Sequence, residues 1–131
     1  MELDDPAVQK LLAEPNYAVV STVNEDGSLH NCMIWVRQEG TAIGMNSNTD
    51  RIWPQNLDRD PRATVLVFNR SDPYDYVEIR GTTTTSLDGA KEQIDELAKK
   101  YIGQDTYPYL QPGEQRVKVL LNPERIRLFK Q

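Results

Sequence analysis

Only one stretch of this chain repeats apolar residues at helical spacing over several turns. Leu87, Ala90, Ile94, Leu97, Ala98 and Tyr101 recur three and four apart, with Asp88 in the first turn and Lys99, Lys100 and Gly103 at the end, and predict one long helix. Elsewhere the apolar runs are short, β-branched and cut by turn residues. Parallel strands need a crossover, usually helical, between each pair. A chain with a single long helix between its strands therefore cannot build a parallel sheet, and its strands must pair mainly antiparallel.

The strands can be followed in order. Asp4-Asp5-Pro6 before Val8, Leu11 and Leu12 predicts a short capped helix that Pro15 ends. Tyr17 to Val23 and Ser28 to Arg37 flank the turn Asn24-Glu25-Asp26-Gly27 as a hairpin. A second turn at Gln38-Glu39-Gly40 leads to Thr41–Met45, extending the hairpin to a three-stranded meander. Asn46 to Asp50 offers N-caps for a helix from Arg51 to Leu57, with Pro54 tolerated in its first turn. Ala63 to Phe68 is almost continuously apolar, the pattern of a central strand buried on both faces. Tyr74 to Thr85 sets Tyr76, Glu78 and Arg80 opposite Val77 and Ile79, and two strands, Val117–Leu121 and Ile126–Phe129, follow the rigid aromatic loop Tyr107–Gly113. The expectation is a mainly β fold, a closed antiparallel barrel of about six strands flanked by helices. A small barrel has a filled interior, so a cofactor site belongs on its wall, where a second subunit is the natural lid.

The 131 residues suit one domain spanning 1–131. A formal charge of −5 disfavours general nucleic-acid or anionic-membrane binding, so any anion must be caught locally. Cys32 stands alone in an apolar context and reads as a buried structural thiol. Met1-Glu2-Leu3-Asp4-Asp5 lacks a basic start and an apolar run, and no apolar stretch approaches the roughly 20 residues of a membrane span, so a cytoplasmic protein is expected.

Standalone catalytic signatures are missing. His30 is the lone histidine, too few ligands for zinc, and neither a nucleophile elbow nor a glycine-rich phosphate loop is present. Glu92, Asp95 and Glu96 read as a solvated helix face. Positive charge does gather in DRIWPQNLDRDPRATV, Asp50 to Val65. Either Arg51, Arg59 and Arg62 are solvated partners of Asp50, Asp58 and Asp60, or Asp50-Arg51 opens a helix whose first-turn amides hold a phosphate. An enzyme of this design needs a cofactor that carries the reaction, and hydride transfer fits.

Taken in order, Tyr17-Ala18-Val19-Val20-Ser21-Thr22, Asn24-Glu25-Asp26-Gly27, Asn56-Leu57-Asp58-Arg59-Asp60-Pro61-Arg62 and Pro73 to Gly81 resemble the split-barrel flavin and deazaflavin reductases. The likeness continues through Leu97 to Tyr101, Tyr107-Pro108-Tyr109 and Pro112 to Val117, and is nearest to the F420-dependent branch of the pyridoxamine 5'-phosphate oxidase-like superfamily. The resemblance implies a split β-barrel homodimer with elongated cofactors at the subunit interface. It implies coenzyme F420 as hydride carrier for an unsaturated small-molecule substrate, with FMN, or a binding protein without catalysis, as alternatives. The segment matching Asn46 to Asn56 would hold the phosphate and tail: Arg51 as a charged fork, Asn46 and Ser47 as neutral donors. Trp53 stands where many relatives carry lysine, and either stacks on the cofactor or anchors the core. His30 matches a position near the ring, Tyr74 one beside the tail or a plain cross-strand pair, and Arg116 one reaching the partner subunit's cofactor. Arg62 is expected to anchor the strand start and Arg59 to face water. The resemblance singles out no catalytic residue and no metal; a proton would come from solvent or from Tyr74, Tyr107 or Tyr109.

Overall fold

Asn24 to Ser28 folds the chain back first: the Asn24 N–H donates to the Ser28 carbonyl (2.8 Å), and Gly27 takes φ +87°. The computed structural model, which describes residues 1–130, shows the hairpin this turn dictates. β1 (Ala18–Val23) and β2 (Leu29–Ile34) run antiparallel, with Ala18 opposite Ile34 and Val23 opposite Leu29. Ahead of them α1 (Pro6–Ala13) starts as its sequence requires, the Asp5 carboxylate accepting from the Ala7 N–H (2.9 Å) with proline in the first turn.

The remaining elements are β3 (Arg37–Glu39), β4 (Ala42–Asn48), α2 (Ile52–Arg59), β5 (Arg62–Asn69), β6 (Asp72–Ser86), α3 (Ala90–Ile102) and β7 (Arg116–Lys130). All seven strands form one antiparallel sheet in the order β2-β1-β5-β6-β7-β4-β3. Its two edges, β2 and β3, are consecutive in the chain and joined by only Trp35 and Val36. Laid flat, six strand spacings would part those edges by about 29 Å. Two linking residues span at most about 11 Å. The sheet must therefore curl until its edges nearly meet, which makes a barrel with a split.

The structure departs from several of the sequence-based expectations. No three-stranded meander exists: β4 pairs with β7, because the chain crosses the split at Trp35-Val36 instead of turning back on β2. β5 is covered on one face, with Ala63, Val65 and Val67 in the core while Thr64, Leu66 and Phe68 stay half-exposed on the other. The two predicted last strands are one, β7, bent where Gly81 of β6 meets the backbone of Asn122, an approach that a Cβ would block. α2 starts at Ile52 with Arg51 as its N-cap, and α3 starts at Ala90 behind a left-handed Gly89, leaving Leu87 exposed. Cys32 is half-buried against the core rather than enclosed by it.

α3 holds the closing link in place. Its Tyr101 hydroxyl accepts from the Val36 N–H (3.2 Å) and donates to the Asn16 carbonyl, and its ring stacks on Trp35 at 5.3 Å and 7°. The Lys100 ammonium donates to the carbonyls of Leu12 and Val36, each at 2.6 Å. Further along α3, Gln93 donates to Glu39, which also pairs with Arg37 (3.2 Å) and Lys118 (3.4 Å); a side chain at Gly44 would strike this carboxylate. Burial pushes the Tyr101 phenol up to about 12 and, with Arg37 nearby, the Lys100 amine down to about 8.

Tyr101→Phe leaves a buried N–H and a carbonyl short of a partner, and is expected to cost about 1–3 kcal/mol. Urea unfolding should show a lower midpoint at unchanged slope; an unchanged midpoint would contradict the clamp. The two groups also predict opposite pH limbs. Folded Lys100 releases its proton near 8 while the unfolded chain keeps it to about 10.5, so this group makes stability rise through that window. Folded Tyr101 keeps its proton to about 12 while the unfolded chain loses it near 10.0, so stability falls above that point. Lys100→Met should flatten the first limb and Tyr101→Phe the second, measured by urea unfolding across alkaline pH.

Candidate functional site

The split in the sheet leaves a cavity of about 380 Å³, within the range of small-ligand sites. One wall is the end of β2 and the closing link, Cys32 to Trp35. Asn46 and Ser47 of β4 border it from the other side of the split, and Ile94 and Leu97 of α3 supply an apolar surface. Tyr107 and Tyr109, from the loop between α3 and β7, close the outer side, with Arg116 beside them. The aromatic groups form a connected set: Trp35 meets Tyr107 edge-on at 6.2 Å, and Tyr107 meets Tyr109 edge-on at 5.6 Å. The Asp95 carboxylate anchors this loop by accepting from the Tyr107 N–H (2.8 Å), which gives part of the predicted solvated face a structural task.

Arg51 stands at the cavity rim as the N-cap of α2. Its guanidinium is exposed and forms no ion pair among the described residues. The first helical N–H groups of Ile52 and Trp53 have no intrahelical acceptor, and Pro54 has no N–H, so positive potential gathers here. The other two arginines of this stretch are engaged. Arg62 grips Asp60 (2.7 Å) at the start of β5 and, through its hydrogen bonds, lowers the Asp60 carboxyl to about 2. Arg59 was expected to face water; it is exposed, yet donates to the Val23 carbonyl and to Asn56 (3.2 Å). The solvated-partner reading thus describes Arg62 and not Arg51.

The second cation at the cavity is already matched. Arg116 donates through Nη1 to Glu114 (2.9 Å) and through Nε to Asn46 (2.9 Å), and its guanidinium lies over the Tyr107 ring at 5.0 Å. Glu114 also accepts from Asn48 (2.8 Å) and from the Gln111 N–H (3.1 Å). Burial raises the Glu114 carboxyl, but these donors together with Arg116 outweigh it and hold the group below its ordinary value. Asn46, expected as a donor to a ligand, spends its amide hydrogens on the Ala90 carbonyl (2.8 Å) and Gln93 (2.9 Å).

Five of the eight sequence-predicted residues come together here: Asn46, Ser47, Arg51, Trp53 and Arg116. Trp53 is 1% exposed and belongs to the core, with an edge on the cavity. The other three lie elsewhere. Asn56 is buried and donates to Thr22 (3.0 Å) and Asn24 (2.9 Å), tying α2 to the first hairpin. His30 sits at the turn end of β2 opposite Thr22, away from the cavity. Tyr74 is 62% exposed on the outer face of β6, next to Leu66, Phe68, Tyr76 and Phe129. Of the three candidate proton donors, Tyr107 and Tyr109 border the cavity and Tyr74 does not. Sequence reasoning passed over Trp35 and Glu114; the signals available were a tryptophan at the end of a strand and a carboxylate two residues before Arg116. No group of three metal-ligating side chains occurs among the described residues, and no helix there is long and apolar enough to cross a membrane.

A family model described as pyridoxamine 5'-phosphate oxidase matches residues 4–130. No curated protein matches the sequence. Among solved structures, an F420 reductase is similar at 25% identity and a TM-score of 0.79, over 91% of this chain and 94% of that one. A conserved hypothetical protein from Mycobacterium tuberculosis is similar at 18% identity and 0.76, over 96% and 84%. A heme storage protein from Vibrio cholerae is similar at 14% and 0.73, over 98% and 96%; these last two share the fold.

Proposed function

This chain belongs to the pyridoxamine 5'-phosphate oxidase family, and from that we propose that it is an oxidoreductase that binds coenzyme F420 at the split of the barrel. One observation carries the reading: an unpaired arginine at a helix N-terminus shares a cavity with an aromatic wall. Such a cavity suits a ligand with a planar ring at one end and an anion at the other. The likeness to an F420 reductase supports the deazaflavin in particular.

Each side chain then has a physical task. Arg51 and the α2 amides hold the phosphate, while Trp35, Tyr107 and Tyr109 offer faces and edges to the ring. Ile94 and Leu97 keep water from the covered side. When bound, F420 supplies two-electron hydride chemistry, for an unsaturated small-molecule substrate. The chain contributes orientation and exclusion of water, which is where much of the rate enhancement of such reactions originates. Tyr107 or Tyr109 holds a proton at Oη within reach of the cavity. A cytoplasmic setting, in which Cys32 stays a thiol, accords with this reading.

A second copy of the chain completes the site in this reading. Leu66, Phe68, Tyr74, Tyr76 and Phe129 form an apolar patch on the outer face of β5–β7, with Tyr76 and Phe129 stacked at 5.1 Å, and Leu29 and Met33 stand exposed on β2. Contiguous exposed apolar surface of this kind commonly marks an interface.

FMN is the second reading, because its one phosphate equally suits one unpaired cation. Protein from a flavin-rich host should then arrive yellow, whereas the F420 reading expects a colourless preparation. Titration with F420 should quench cofactor fluorescence saturably, and Arg51→Ala should weaken binding about 10- to 150-fold, from the 1.5–3 kcal/mol of a charged hydrogen bond. Unchanged affinity would remove the anion site. Sedimentation should find a dimer that Phe129→Asp shifts toward monomer; a monomeric wild-type chain at micromolar concentration would count against the second-copy lid.

A further inference from the structure

Two guanidinium groups border the cavity, and the structure treats them differently. Arg51 is exposed and unpaired; Arg116 and Glu114 form an ion pair at 2.9 Å with side chains only 10% and 11% exposed. The pair is built in. The Glu114 N–H donates to the Gln111 carbonyl (3.1 Å), and the returning Gln111 N–H and Asn48 amide fix the carboxylate against Arg116. Arg116 is then oriented by Asn46 at Nε and by the Tyr107 ring under its plane. An anion approaching Arg116 meets opposite charges less than 3 Å apart, whose fields largely cancel at ligand distance.

We propose that Glu114 determines specificity at this site: by neutralising Arg116 it limits the cavity to one effective cation, Arg51, so that one phosphate is read and further carboxylates on the ligand go unread. The proposal rests on the F420 reading above and deepens it. F420 carries an oligoglutamate tail beyond its phosphate, and the cavity has no second available cation to reward that charge. Arg116 serves as a positioning residue for Tyr107 and the aromatic wall. Removing the Glu114 charge while keeping its shape, as Glu114→Gln, turns Arg116 into a second anion site.

The test is equilibrium binding to the full-length chain, read by ligand fluorescence, with short-tailed and long-tailed F420, FMN and riboflavin. Wild type should bind the two F420 forms within about twofold of each other. Glu114→Gln should favour the long tail about tenfold, the scale of one charged hydrogen bond, and Glu114→Gln with Arg116→Gln should abolish that preference. Circular dichroism checks that each variant is folded, and the wild-type comparison needs no variant. A wild-type preference for the long tail of tenfold or more overturns the proposal, as does a folded Glu114→Gln with an unchanged ratio. If flavins bind and F420 does not, the F420 reading fails by itself, and the FMN-to-riboflavin affinity ratio decides: it should rise in Glu114→Gln, and constancy overturns the proposal. Failure of all four ligands to bind overturns both.

Discussion

Seven strands in one sheet, with the two edge strands joined through a pair of residues, leave the backbone little freedom. Curling is imposed by the reach of the chain and does not depend on any side chain. Side chains decide how the join is held: Tyr101 bonds the Val36 amide, Lys100 bonds its carbonyl, and Trp35 lies flat on the Tyr101 ring. The same join that closes the barrel thereby presents an aromatic face toward solvent at the split. Closure and cavity have one cause, and residues that stabilise the fold also shape the place where a ring can lie.

Charge is distributed with equal economy. An acidic chain does not attract anions in general, so the local cation count matters more than the total. Arg59 and Arg62 are committed to Val23, Asn56 and Asp60, and Arg116 to Glu114, which leaves Arg51 with the dipole of α2 behind it. Loss of one uncompensated guanidinium is a larger perturbation than loss of one from a neutralised pair. Positive potential therefore concentrates at one corner of the cavity, while its aromatic side stays electrically quiet.

Local chemistry was legible in the sequence, and closure was not. The Asn24–Gly27 hairpin, the Asp5 cap of α1, the amphipathic face of α3 and the alternation along β6 follow from nearest neighbours and appear in the structure. The pairing of β4 with β7 joins residues about seventy positions apart, which turn signals cannot encode. The apolar run Ala63–Phe68 misled for a related reason: Leu66 and Phe68 face outward with Tyr76 and Phe129, so an apolar residue did not mean a buried one. Within the site, Arg51 could be read from the helix start it precedes, whereas Ser47, a residue of β4, came only with the family resemblance. Asn56 and Trp53 could not, since a polar or aromatic residue of α2 serves the core or the cavity according to which side of the helix faces the sheet. Trp35 and Glu114 were hidden because their partners, Tyr101 and Arg116, matter only once the chain has folded.

The decisive measurement is a structure of the chain bound to F420. The ring should lie against Trp35 and Tyr107 in the split, with the phosphate within hydrogen-bonding distance of Arg51 and the first amides of α2. A ring lying on the Leu66–Phe129 face, or a phosphate held by Arg116 with Arg51 turned away, would contradict this placement.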